Sequence, residues 1–368
     1  MLIEGIRDVA GRLVSNMETT SGSRCLFNLG KSCKEISSDN FVAFEPFGGA
    51  GSKIAFVDGG NLEILNGPNL CVQYNRLYFS TFKNMERVKP KAITSKIEFF
   101  STVSLGFEKD TLHYYTRITP LDEKFTEFLP KEKDLVFSYG EAAKLCGKEH
   151  PSPSDISSIV REFSELVFSK HILEKELAPG DMLVRDGNLD LPPGESYIGE
   201  IQKTAINKNI MLVGLSKTCS LLTTTANSII AAIGNIAAEH NLDKKCWYCE
   251  NIADEDSYPI DLTFVKLNPS SKYIFRLDLL WEQSRRLKRE EKSRIIGAIA
   301  NEARGKAFPG YPYGLIDADK NARVRKHERE AIQMLLISEI SRLGKLKEFE
   351  RLIRAVDAHE KLNIIVGD

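Results

Sequence analysis

Two stretches of this 368-residue chain set a carboxylate after an apolar run and follow it with glycine: "IAFVDGG" at 54–60, with Asp58, and "MLVRDGNL" at 182–189, with Asp186. Either one alone reads as a strand that stops at a tight turn, since aspartate tolerates turn geometry and glycine supplies positive φ. The pair asks for a second explanation. Two aspartates brought side by side repel, and one takes up a proton unless a cation neutralises them. Mg²⁺ and Mn²⁺ prefer hard oxygen donors. Two such ions about 4 Å apart activate a water, bind a scissile phosphate and stabilise the leaving oxygen. The turn and ligand readings are compatible, because a strand ending in Asp–Gly projects its carboxylate past the sheet edge.

Such chemistry needs further acids arriving from helices. The segment "GYPYGLIDADKNARV" (310–324) supplies one: Pro312 suits a helix entry, and Leu315, Ile316, Asp319, Ala322 and Arg323 then fall on one stripe. A carboxylate among apolar neighbours is costly unless paired. Asp319 is therefore either a ligand or the partner of Arg323, four residues on. Asp317 falls elsewhere on the helix. In "VREFSE" (160–165), Glu162 and Glu165 both lie off the apolar stripe, and spacing does not choose between them; an exposed charged face is the plain alternative. Lys217, after the apolar run "NIMLVGLS", would contact a phosphate as a point charge or cap a strand end.

The elements that must position these groups change period along the chain. Residues 3–17 carry a helical apolar stripe of Ile3, Ile6, Val9, Leu13 and Met17. "KIAFVDG", "LCVQYNRLYFSTF", "KIEFFSTVSL" and "LHYYTRITPL" are rich in β-branched and aromatic residues and separated by turn signals, which predicts a meander to about residue 118. Residues 120–153 read as a connection. A helix follows with Ile156, Ile159, Val160, Phe163, Val167 and Ile172 inward and Ser154 or Asp155 as cap. Then come the strand with Asp186, a short helix at 195–208, the strand at 209–218, a helix to about 240, two more strands and a helical C-terminal third. Meander, helix, strand, helix, strand is the order of a ribonuclease H-like α/β fold with a mixed sheet. In that fold the first meander strand lies parallel to the strand after the first helix, so Asp58 and Asp186 leave the sheet at one edge.

Composition narrows the classes. Fifty basic against 51 acidic residues leave a formal charge of −1, so a nucleic-acid partner must be held locally rather than by a global basic field. Seven scattered cysteines suit reduced thiols in a cytoplasmic protein better than a disulfide framework. "SIIAAIGNIAA" (228–238) is too short to cross a bilayer. "CWYC" (246–249) with His240 invites a zinc reading, but no second ligand pair stands close by.

With these residues assembled, the chain resembles the NurA nuclease family. The resemblance rests on an ordered set: "VDGG" (57–60), "VREFSE" (160–165), "LVRDGNL" (183–189), "VGLSKT" (213–218), "YIFRLD" (273–278) and "YPYGLIDAD" (311–319). It implies a ribonuclease H-like core and a manganese-dependent nuclease, combining 5′ to 3′ exonuclease and single-strand endonuclease action. It also implies a homodimer working with a hexameric HerA-type ATPase in DNA end processing. Carried over by position, it makes Asp58, Asp186 and Asp319 metal ligands, prefers Glu165 to Glu162 as a fourth, adds Tyr311 to the catalytic set, and assigns Lys217 and Arg276 to the DNA backbone. Two departures stand in the motifs themselves: Gly60 replaces the usual serine, and Asp319 stands where the family often has histidine. Mn²⁺ or Mg²⁺, as two ions, is the implied cofactor.

Under this reading the domain spans 51–342 with an unmatched insertion at 219–262, preceded by an N-terminal segment (1–50) and followed by a tail (343–368). Basic runs at 87–91, 285–294 and 320–329 are ordinary solvated faces or DNA-channel linings; the last follows Asp319 and brings Arg323 into the DNA-binding set. Two other classes fit parts of the pattern: an actin- or sugar-kinase-like phosphotransferase, and a catalytically silent DNA-end scaffold. No P-loop sequence is present, so an ATP-driven step would belong to a partner.

Overall fold

The computed structural model describes residues 2–20, 26–28, 33–48, 51–190, 195–256, 258–305, 308–349 and 351. The principal elements are α1 (Leu2–Thr20), β1 (Phe41–Phe44), β2 (Ile54–Asn66), β3 (Leu70–Lys83), β4 (Lys96–Glu108), β5 (Thr111–Pro120), α2 (Pro153–Lys175), β6 (Met182–Asp186), α3 (Glu195–Asn207), β7 (Met211–Ser216), α4 (Ile229–Glu239), β8 (Cys246–Cys249), β9 (Asp261–Lys266), β10 (Phe275–Leu279), α5 (Arg289–Glu302), α6 (Tyr313–Ala322) and α7 (Lys326–Arg342). The tail expected over 343–368 lies largely outside the described residues.

The chain forms two compact units, each discontinuous in sequence. One comprises 1–50, 186–190 and 213–313; the other comprises 51–185, 191–212 and 314–368. This partition differs from the expected continuous 51–342 domain. Both β6 and β7 contain a point of division, so the chain passes between units inside strands.

In the second unit β2, β3, β4 and β5 form the expected antiparallel meander, and β6 pairs with β2 in parallel, Met182 to Ile54 through Arg185 to Val57. The parallel neighbour foreseen from element order is thus present. β2, β3 and β4 are long because aromatic and β-branched residues recur along them with period two on the core side. α2 covers β2, β3 and β4 with Ile156, Val160, Phe163 and Phe168, and Phe168 meets Phe79 edge-on at 5.6 Å. Its N-cap is Ser152 rather than Ser154 or Asp155: Pro153 takes the first helical position, and Asp155 completes a reciprocal capping box. The connection at 120–153 contains a strand, Val136–Ser138, and a capped helix, Tyr139–Cys146.

In the first unit β1, β8, β9, β10 and β7 pair antiparallel in that order. The stretch 219–262, which matches no motif, supplies α4 and β8; Trp247, Cys249, Ile233 and Phe264 share one core cluster there. Cys246 and Cys249 are buried strand residues, and burial pushes the Cys246 thiol up to about 11. A thiol that resists ionisation in a packed strand is a poor zinc ligand. The N-terminal helix is formed as expected, with Ile3, Ile6, Val9 and Leu13 exposed. No described helix is long and apolar enough to cross a membrane.

Candidate metal centre

Asp58 lies in the middle of β2 and not at its end. The strand continues through Gly59 and Gly60 to Asn66, with Asp58 opposite Tyr78 of β3. The turn expected at Asp58 is therefore absent, and the glycines serve a different purpose. A Cβ on Gly59 would overlap the Glu165 carboxylate and come within 2.7 Å of Leu77; one on Gly60 would overlap the backbone carbonyl of Ala322. These glycines admit α2's glutamate on one side and the end of α6 on the other. Gly314 does the same at the start of α6, where a Cβ would strike the ring of Phe56. Helix α6 thus approaches β2 at both its ends through residues without side chains, and this close approach positions Asp319.

Asp186 closes β6 as expected, and Gly187 takes φ 113°. Because Arg185 is aligned with Val57 in parallel register, the next residue of each strand is an aspartate. Asp58, Asp186 and Asp319 each offer a carboxylate oxygen, and the three oxygens lie within 4.8 Å of one another. All three residues are partly buried. Oxygen-only donors at such spacing suit a hard divalent cation, and the residues fit Mn²⁺ or Mg²⁺.

Two flexible cations meet the cluster. Lys217 Nζ lies 2.7 Å from Asp186, and Arg323 donates to Asp319 at 2.8 Å. The sequence alternative in which Arg323 pairs with Asp319 is therefore realised without taking Asp319 out of the cluster. The cation side chains are 44% and 68% exposed; the helical Arg323–Asp319 pair is a surface pair of small energy, about 0.3–0.5 kcal/mol, whereas Asp186 itself is only 13% exposed. Gly59 N–H donates to Asp58 Oδ1 at 2.8 Å, which fixes that carboxylate's rotamer.

Three expected site residues stand differently. Glu165 is almost wholly buried and lies outside the carboxylate trio; it is bound by Arg161 and, at 3.2 Å, by Arg185. Arg161 also donates to the Gly59 carbonyl at 3.3 Å, so this buried network braces β2 immediately behind Asp58. Burial of a carboxylate requires such compensation, and the two guanidinium groups supply it. Tyr311 is also buried, its ring packed on Phe275 at 5.2 Å with Lys217 Nζ 5.2 Å from its centroid. It is a platform for the lysine rather than a member of the acid group. Arg276, expected at the DNA backbone, is buried in the sheet and donates twice to Asp278, at 2.8 and 3.0 Å. Asp317 pairs with Arg87 and Asn321 and stays outside the trio.

Sequence reasoning missed Arg185, Gly314 and the reason for Gly59 and Gly60. An arginine inside the apolar run "MLVRD" was the available signal for a buried ion pair, and the Arg161–Glu165 spacing of four was a second.

No curated protein matches the chain. Among solved structures, a NurA crystal structure aligns over 91% of this chain and 97% of its own at 10% identity and a TM-score of 0.45; a NurA structure with manganese aligns over 92% and 98%, also at 10% identity, with a TM-score of 0.47. An endonuclease V of Ciona intestinalis in complex with DNA covers 81% of this chain and 93% of its own at 11% identity and 0.36. These likenesses are distant, and the assignment rests on the family model instead. The NurA domain matches residues 52–324, the span that holds every residue of the carboxylate cluster, and the chain belongs to the NurA family.

Proposed function

We propose that this protein is a divalent-metal-dependent DNA nuclease that hydrolyses phosphodiesters at Asp58, Asp186 and Asp319. The single observation that carries the reading is the convergence of these three carboxylates, from segments more than a hundred residues apart, within 4.8 Å. Left without a cation, three such groups would repel, which is why folds retain them chiefly where an ion or a proton is bound. Mn²⁺ or Mg²⁺ held there supplies an activated water and a stabilised leaving oxygen, and two ions are the arrangement proposed.

The chain's own groups do the rest. The carboxylates orient through the two paired strands and α6, so little reorganisation is needed when substrate arrives. Lys217, poised on the Tyr311 ring, is placed to donate to a phosphate oxygen once its Asp186 contact is relieved. Glu165 acts on the site through Arg161 and Gly59 by holding β2 in place. Family membership supports extending the reading to 5′ to 3′ exonuclease and single-strand endonuclease action, to a homodimer, and to a hexameric HerA-type ATPase partner in DNA end processing.

The test is incubation of labelled single- and double-stranded DNA with Mn²⁺, Mg²⁺ or EDTA. Metal-dependent products are expected, lost with EDTA and in the Asp58→Asn/Asp186→Asn double variant. Full activity of that variant would reject the proposal. ATP turnover by this chain alone would favour a phosphotransferase, and binding without cleavage in any metal would favour a scaffold.

A further inference from the structure

Beside the acid cluster, and within the second unit, Arg76, Lys96, Lys320, Arg323, Arg325 and His327 line an open groove of about 400 Å³. They come from three places in the sequence: the β3–β4 surface, the end of α6 and the start of α7. Five arginines and lysines gather there, against three carboxylates that touch them, Glu98, Glu328 and Asp319. Positive charge is therefore in local excess on a chain whose overall charge is −1. Local concentration of this kind is what a protein without a global basic field needs in order to hold a polyanion.

The groove has a braced floor and an exposed rim. Arg76 is held by Glu98 at 2.7 Å, by Glu328 at 2.7 Å and by the backbone carbonyl of Arg323 at 3.0 Å, and its side chain is only 13% exposed. It locks the α6–α7 corner onto the sheet. Lys320, Arg325 and His327 project from that corner into solvent, and Lys96 faces them with its side chain 47% exposed. Exposed cations around an open trough suit successive phosphates of a flexible strand better than one small anion, which would demand an enclosed site. Arg323 belongs to both places: it lines the groove and pairs with Asp319, so a strand in the groove is continuous with the acids.

We propose that this groove binds the sugar-phosphate backbone of a single nucleic-acid strand entering or leaving the acid cluster, with Lys96, Lys320 and Arg325 making the phosphate contacts. The proposal rests on the nuclease reading for the identity of the strand. Phosphate contacts of this kind fix register without reading sequence.

The experiment measures the affinity of the full chain for a labelled single-stranded DNA oligonucleotide in EDTA across a salt series, for wild type and for the Lys96→Gln/Lys320→Gln/Arg325→Gln variant. Loss of three contacts is expected to make the slope of log affinity against log salt shallower by roughly 2 and to weaken low-salt binding by about ten- to a hundredfold. Binding of Mn²⁺, followed by its electron paramagnetic resonance signal, is expected to stay as in wild type, and Lys96→Arg/Lys320→Arg is expected to retain the slope. An unchanged slope in the glutamine variant overturns the proposal, and so does a parallel loss of Mn²⁺ binding or of thermal stability, which would mean a damaged fold rather than a lost groove. An RNA oligonucleotide and a blunt duplex form separate arms; tighter duplex binding that depends on these residues overturns the single-strand assignment. Wild-type protein that binds DNA with the predicted slopes yet never cleaves it refutes the nuclease reading and leaves the groove standing.

Discussion

The two Asp–Gly stretches look alike in sequence and do opposite things in the fold. At Asp186–Gly187 the strand stops and glycine supplies a left-handed φ of 113°. At Asp58–Gly59–Gly60 the strand runs on for eight residues beyond the aspartate, and glycine supplies space, because Glu165, Leu77 and the Ala322 carbonyl occupy the volume a side chain would need. One aspartate is therefore held at a strand terminus beside a partly exposed lysine, and the other is held inside a sheet, paired on one side by β3 and with β6 aligned on the other. Glycine next to a functional acid marks either a turn or a close approach, and only the neighbours distinguish them.

The comparison can be broken at its acids first. Asp58→Asn and Asp186→Asn are each expected to lower Mn²⁺-dependent DNA cleavage by about a thousandfold, several kcal/mol of transition-state stabilisation, with melting temperature little changed. Single-turnover assays alongside thermal melts check both halves. Equal loss at the two positions would show that strand interior and strand end contribute alike. The buried brace comes next. Glu165→Gln leaves Arg185 poorly compensated beneath β2, and a stability loss of about 3–5 kcal/mol is expected from denaturant unfolding.

The glycines then separate the two regions directly. Gly59→Ala forces Glu165 and Leu77 apart and is expected to cost about 1–3 kcal/mol by overpacking, together with weaker metal binding as Asp58 shifts. Gly187→Ala meets backbone strain at positive φ, expected at about 1 kcal/mol, with metal affinity altered less. Reversal of that order would show that Gly59 is not pressed against α2. The smallest effect concerns pH. The hydrogen bond from Arg76, against a modest burial penalty, holds Glu328 below the ordinary glutamate range. A depressed folded-state value means its contribution to stability is present at neutral pH and is lost as pH falls through that range. Glu328→Gln is expected to lower the neutral plateau of a melting-temperature profile slightly and so to flatten its acid limb, with little change at the acid end.

Much of the architecture was legible because period and residue type are local signals. The meander, α2, β6 and the parallel pairing of β2 with β6 follow from aromatic and β-branched runs, a helical stripe and element order. Asp319 was legible as a carboxylate on an apolar stripe. Glu165 and Arg276 were not legible in their structural roles: both carry functional-looking charges, yet each is buried against opposite charges, Glu165 by Arg161 and Arg185, Arg276 by Asp278. Which side of a helix or strand faces a partner's guanidinium depends on elements distant in sequence.

The amino-acid sequence by itself determined which acids were available, the elements that carry them and, through its ordered motifs, the family. Tertiary structure decided which acids meet, because a distance of a few ångströms between residues 58, 186 and 319 is set by strand register and by glycines that let α6 touch β2. Close approach is a property of two surfaces at once, and no single segment encodes both.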